Sequence, residues 1–92
     1  MKADDPVLGH RVRTGALAFL ADRGAADFTE LASALEVANN TLSSHLQRLE
    51  AAGHVELRRG FLGRKPRTRV VMTRAGREAW AAHLDRITGP LS

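Results

Sequence analysis

Two groups of residues could do chemistry. Between positions 58 and 77 lie Arg58, Arg59, Arg64, Lys65, Arg67, Arg69, Arg74 and Arg77, with no acidic residue, so this segment carries eight positive charges. The rest of the 92-residue chain holds six basic and ten acidic groups, and the net charge of +4 hides that split. Such segregation favours a polyanionic partner over general solubility. Twelve of the 14 cations are arginine, whose planar fork matches phosphate oxygens and guanine edges.

The second group is uncharged apart from one arginine. Asn39, Asn40, Thr41, Ser43, Ser44, Gln47 and Arg48 surround Leu42, Leu46 and Leu49 in the chain. At 100° per residue the three leucines fall within about 40° of one another on a helix, leaving the polar groups to the other sides. Solvated helix faces more often alternate Glu with Lys or Arg. Asparagine and serine weaken a helix, so their clustering suggests a surface kept for hydrogen-bond recognition, as base edges in a DNA groove require. His45 borders the leucine stripe, and a half-buried packing role is expected for it.

Other chemistries find little support. The chain has no cysteine, which excludes disulfides, thiolate metal sites and thiol nucleophiles. Ser43 and Ser44 precede His45, but neighbours on a helix do not face each other, and nothing implies an orienting carboxylate or an oxyanion hole. Gly60 and Gly63 lack the Gly-Lys-Ser/Thr ending of a phosphate loop. His10, His54 and His83 show no metal spacing, and His83 and Asp85 point about 200° apart on a helix. We therefore expect no enzyme activity, no metal and no cofactor. No apolar stretch approaches the roughly 18–20 residues that span a bilayer, and Asp4 and Asp5 are unlike a secretory leader, so a cytoplasmic protein without membrane contact is expected.

The elements that must position these groups follow from periodicity. Helices are expected at about 10–22, 28–36, 40–52 and 74–87, and two strands at about 54–59 and 67–72. Leu8, Val12, Ala16 and Phe19 recur on one face of the first helix, which Asp5-Pro6 precedes and Gly24 ends. Asp27 with Glu30 forms a potential capping box for the second helix, whose expected buried face is Leu31, Ala34 and Leu35. Asn39 or Asn40 caps the third helix, and Gly53 stops it. Val55 and Leu57 alternate with charged residues, and Thr68, Val70 and Met72 do so on the return. The intervening 59–67 reads as a cationic loop marked by glycine and proline. Thr73 caps the last helix, and Gly89-Pro90 ends it.

This order, two short helices and then a hairpin, gives a mainly α fold with a small β-hairpin: a single winged helix-turn-helix domain over residues 1–92. Fifteen of its apolar residues are alanine, so the core is small and oligomerisation is expected. The run from Leu42 to Val55, Leu-Ser-Ser-His-Leu-Gln-Arg-Leu-Glu-Ala-Ala-Gly-His-Val, resembles the recognition helix of small bacterial transcriptional regulators. Gly60 to Thr68, Gly-Phe-Leu-Gly-Arg-Lys-Pro-Arg-Thr, and Met72 to Arg77 resemble the wing and final-helix start of the same group. The chain thus resembles, over roughly residues 5–84, the compact winged-helix domains related to the MarR and ArsR regulators. The resemblance implies a homodimeric regulator of double-stranded DNA, with Ser43, Ser44, Gln47 and Arg48 at the groove and Arg64, Lys65 and Arg67 on the wing. Arg58 and Arg59 extend the wing set, and Asn39, Asn40 and Thr41 the recognition-helix set. Terminal helices would form the dimer interface, for which Leu8, Val12, Leu17, Trp80, Leu84 and Ile87 are the candidates. Thr14 and Ala16 depart from the family pattern, standing where larger aliphatic residues are common. The sequence names no small-molecule effector. The competing expectation is a winged helix that docks an acidic protein through its basic wing.

Overall fold

In the computed structural model residues 10–88 are described. The element order is α1 (Arg11–Arg23), β1 (Ala25–Asp27), α2 (Phe28–Leu35), α3 (Asn39–Ala51), β2 (Val55–Leu62), β3 (Lys65–Met72) and α4 (Arg74–Thr88). Four helices and an antiparallel sheet ordered β1-β3-β2 make a winged helix. The expected Asp5-Pro6 start, Leu8 and the Gly89-Pro90 stop lie outside the described residues.

The core is built from leucine. Leu17 and Leu20 of α1, Leu31 of α2, Leu42, Leu46 and Leu49 of α3 and Val70 of β3 are its largest fully buried side chains. The α3 stripe is thus sealed inward, as its spacing dictates. On α2 the buried residues are Leu31 and Ala32, with Leu35 half-buried; Ala34 faces solvent, a correction to the expected face.

Helix ends differ from expectation in two places. Asp27 sits at the α2 N-cap but makes no side-chain capping bond, because its carboxylate is engaged elsewhere. Ala38, not an asparagine, occupies the α3 N-cap; Asn40 instead accepts from the Thr41 amide through Oδ1 at 2.9 Å. His10 caps α1, its Nδ1 accepting from the Val12 amide at 3.1 Å. Thr73 caps α4 as expected, accepting from the Gly76 amide at 2.9 Å and donating to the Gly53 carbonyl at 2.6 Å. Gly76 packs directly on the His54 carbonyl, leaving no room for a side chain.

The hairpin is longer than its sequence suggests. Residues 59–67 are not a loop: pairing continues through Gly60↔Arg67, Phe61↔Pro66 and Leu62↔Lys65, so only Gly63 and Arg64 remain as the turn. Gly63 has φ 65°, which places glycine at the first position of a tight hairpin turn of the II′ kind. The closing pair of such a turn is hydrogen-bonded and the next is not, so Pro66 gives up no ladder bond. The third strand, β1, was not expected. Its three residues are too few to show a period, and they become a strand only by pairing with Arg69, Val70 and Val71.

Candidate nucleic-acid interface

Helix α3 presents the polar face that its sequence promises. Asn39, Asn40, Thr41, Ser44, Gln47 and Arg48 are exposed and Ser43 is half-buried. The first turn of α3 carries no acidic residue, and no side chain caps it. Apart from the Thr41 amide, which Asn40 engages, its first-turn amide groups and positive dipole end favour an anion.

His45 anchors the inner edge of this face. Its Nδ1 lies 3.0 Å from Nη1 of Arg13, and its ring lies 4.2 Å from that of His10. Burial, followed by the charges of His10, Arg13 and Arg48, holds its pKa below the usual histidine value. The neutral ring can accept from Arg13, which ties α3 to α1. This half-buried, packing histidine matches its position beside the leucines.

The wing cations fall into two sets. At the root, Arg67 donates to Asp27 Oδ1 from Nε at 3.0 Å, and Arg69 donates to the same oxygen from Nη1 at 3.0 Å. The Arg67 hydrogen bond is the main cause that lowers the Asp27 pKa, with the Arg67 and Arg69 charges and the Arg69 bond adding to it. One carboxylate thus clasps β3 to the start of α2. Arg58 pairs with Glu56 at 2.6 Å, but both side chains are well exposed, so that pair is weak and readily exchanged. Arg59 beside Thr68, and Arg64 and Lys65 at the turn, are exposed, and they make no ion pair among the described residues. Arg67 is therefore less available than its place in the sequence implies, while Arg59, Arg64 and Lys65 are fully so.

Two features of this surface escape sequence reasoning. The Asp27 clasp spans 40 and 42 positions of sequence, and the local capping pattern around Asp27 conceals it. The apolar pair Phe61 and Leu62 is 73% and 64% exposed at the wing tip. A signal for the second exists: two large apolar residues between glycines, inside a cationic run, have no core to join. A cleft of about 350 Å³ lies between the wing and α2, lined by Asp27, Phe28, Leu62, Pro66 and their neighbours.

The candidate dimer residues divide as well. Val12 and Leu17 are buried in the core of this chain and offer a partner little surface. Trp80 is half-buried, packs on that core and stacks with His83 at 5.5 Å. Leu84 and Ile87 are 40% and 65% exposed on α4. Among the described residues no group of three or more His, Cys, Asp or Glu could hold a metal ion, and no helix is long and apolar enough to cross a membrane.

Comparison with known proteins is decisive about the family. The model of the winged helix DNA-binding domain matches residues 12–89, nearly the whole chain. The chain belongs to the winged helix DNA-binding domain family. It is similar to the transcriptional regulator homologue protein from Pyrococcus horikoshii OT3, at 33% identity and a TM-score of 0.84, over 89% of this chain and 81% of that one. A MarR-family transcriptional regulator from Silicibacter pomeroyi aligns at 27% identity and a TM-score of 0.65, over 94% of this chain and 62% of its own. Reduced AbfR bound to DNA shares the fold at 23% identity and a TM-score of 0.76, over 85% of this chain and 57% of its own. The winged helix therefore spans little more than half the length of those last two neighbours. No curated protein matches the chain. The resemblance drawn from the recognition helix and wing is correct at the level of the winged helix DNA-binding domain family.

Proposed function

We propose that the domain binds double-stranded DNA sequence-specifically as a homodimer on an inverted repeat, and that it represses by covering a promoter. The observation that carries this reading is the pairing of an exposed, acid-poor recognition face on α3 with a wing whose tip cations make no ion pair among the described residues. Seven α3 groups, Asn39, Asn40, Thr41, Ser43, Ser44, Gln47 and Arg48, read or seat on the major groove, while Arg58, Arg59, Arg64 and Lys65 hold phosphates. Arg67 joins them only by sharing or leaving Asp27. The DNA-bound state of AbfR, which has the same fold, is in keeping with this assignment.

The dimer is proposed from α4. Leu84 and Ile87 leave apolar surface uncovered on a helix that packs against α1, and the core beneath holds no fully buried aromatic side chain. Small cores gain from a partner subunit. A titration of short duplexes at several salt concentrations tests the reading. Binding should weaken steeply with salt, and one sequence should be preferred over unrelated competitors. An intact protein that ignores duplex DNA at low salt and captures an acidic protein would favour the interaction-module reading instead.

A further inference from the structure

The wing tip combines two properties that a simple phosphate clamp does not need. Beyond Asp27↔Arg69 the strand β1 has ended, so the outer hairpin is a two-stranded ribbon, separated from the start of α2 by the cleft that Phe28, Leu62 and Pro66 line. At its end Phe61 faces Pro66 across the ribbon, Leu62 faces Lys65, and the turn adds Arg64. Phe61 and Leu62 are 73% and 64% exposed, so this apolar tip finds little cover among the described residues. At the turn Arg64 and Lys65 make no ion pair among the described residues, and neither does Arg59 farther back beside Thr68, whereas Arg67 and Arg69 are bound to Asp27 and Arg58 pairs only loosely with Glu56. Free positive charge and free apolar surface thus coincide at one end of a projecting ribbon.

We propose that Phe61 and Leu62 form an apolar wedge that enters the minor groove of duplex DNA and opens a base step there, with Arg59, Arg64 and Lys65 holding the flanking phosphates. This rests on the DNA-binding reading and deepens it. The charge complementarity selects a polyanion, and the groove floor and sugar walls give the apolar side chains a surface to leave water for. An undeformed minor groove is only about 6 Å wide, too narrow for a ribbon with side chains, so entry has to widen it. Flexible pyrimidine–purine steps such as TA yield most easily, and the tip therefore favours sites that carry one beneath the wing. Sequence preference then arises at positions α3 never touches.

An apolar wedge and a cation differ in one measurable way. A cation releases counterions and sets the salt slope, whereas an apolar side chain does not. The test uses short mixed-sequence duplexes with 2-aminopurine beside a TA step, titrated at several salt concentrations with wild type, Phe61→Ala/Leu62→Ala and Arg64→Ala/Lys65→Ala. Wild type should raise the 2-aminopurine fluorescence as the step unstacks. The apolar variant should lose that rise and bind about tenfold more weakly at every salt concentration, with the slope unchanged. The cationic variant should instead lower the slope by about two for each subunit bound. Both apolar residues are exposed, so thermal unfolding of that variant should match wild type and exclude a folding defect. The proposal is overturned if the apolar variant binds and brightens the probe as wild type does, or if its slope falls with its affinity. Wild type that binds the duplexes with no fluorescence rise overturns the wedge and leaves the DNA-binding reading standing. Wild type that binds no duplex, but binds vesicles containing anionic lipid, overturns both.

Discussion

At the scale of single residues, Asp27 shows how one group can look local and act at long range. Its position three residues before Glu30 suggests a helix cap, yet its carboxylate takes Arg67 and Arg69 instead. Because its folded pKa is lowered, its contribution to stability is present at neutral pH and is lost as pH falls through that lowered value. Between about pH 5 and pH 2 the melting temperature of wild type should therefore drop further than that of Asp27→Asn, which cannot titrate there. Parallel curves for the two proteins would remove Asp27 from the ledger of acid-sensitive groups. On α3, Gln47→Ala should change base preference at one position by about 1–3 kcal/mol, if the amide makes a two-pronged contact with adenine. A panel of single-base variants reads this directly, and an unaltered profile would take Gln47 out of the groove.

At the scale of elements, the helices were legible because their signals are periodic and their stops explicit. The α3 stripe of Leu42, Leu46 and Leu49 is fully buried, and Gly53 adopts φ 83° just after the helix. The wing was legible only in part. Gly60, Gly63 and Pro66 are loop residues by composition, but an open two-stranded ribbon tolerates them, so pairing runs to the turn. Strand β1 was illegible because its identity belongs to β3 rather than to its own residues. Exposure of the polar α3 face could be read from the stripe, whereas the division of wing cations into clasped and free could not. It depends on the register of β1 against β3. Contacts between elements also impose testable limits. Gly76→Ala would drive a methyl group into the His54 carbonyl and should cost about 1–3 kcal/mol in chemical denaturation. Gly60→Ala meets nothing within 4 Å and should be neutral or mildly stabilising, by at most about 1 kcal/mol. Equal effects at the two glycines would contradict the packing of α4 on the turn after α3.

At the scale of the whole molecule, stability and recognition draw on different surfaces. Alanine-rich α4 contributes Trp80 to the core and leaves Leu84 and Ile87 outside it, while Val12 and Leu17 of α1 are already used within the chain. The proposed dimer therefore depends on the far end of α4. Leu84→Glu/Ile87→Glu should shift the protein to a monomer in sedimentation and lower its melting temperature at high protein concentration. The wild-type melting temperature should itself rise with concentration, as mass action requires of a coupled dimer. A variant that sediments like wild type would place the dimer contact elsewhere. Across the molecule the charge asymmetry also acquires a place. The acid-free segment forms the wing and opens α4, whereas α3 brings hydrogen-bonding groups with little charge. On the proposed function, affinity rests on the wing and specificity on α3, while the Asp27 clasp ties the root of the wing to the start of α2.

The most direct test of the proposed function is selection of bound sequences from a random duplex library by the full chain. Two α3 helices related by a two-fold axis should enrich an inverted repeat, with half-sites about one helical turn, or roughly 34 Å, apart. A pool that shows no enriched sequence, or enriches a single asymmetric site bound by one copy, would contradict a sequence-reading dimer.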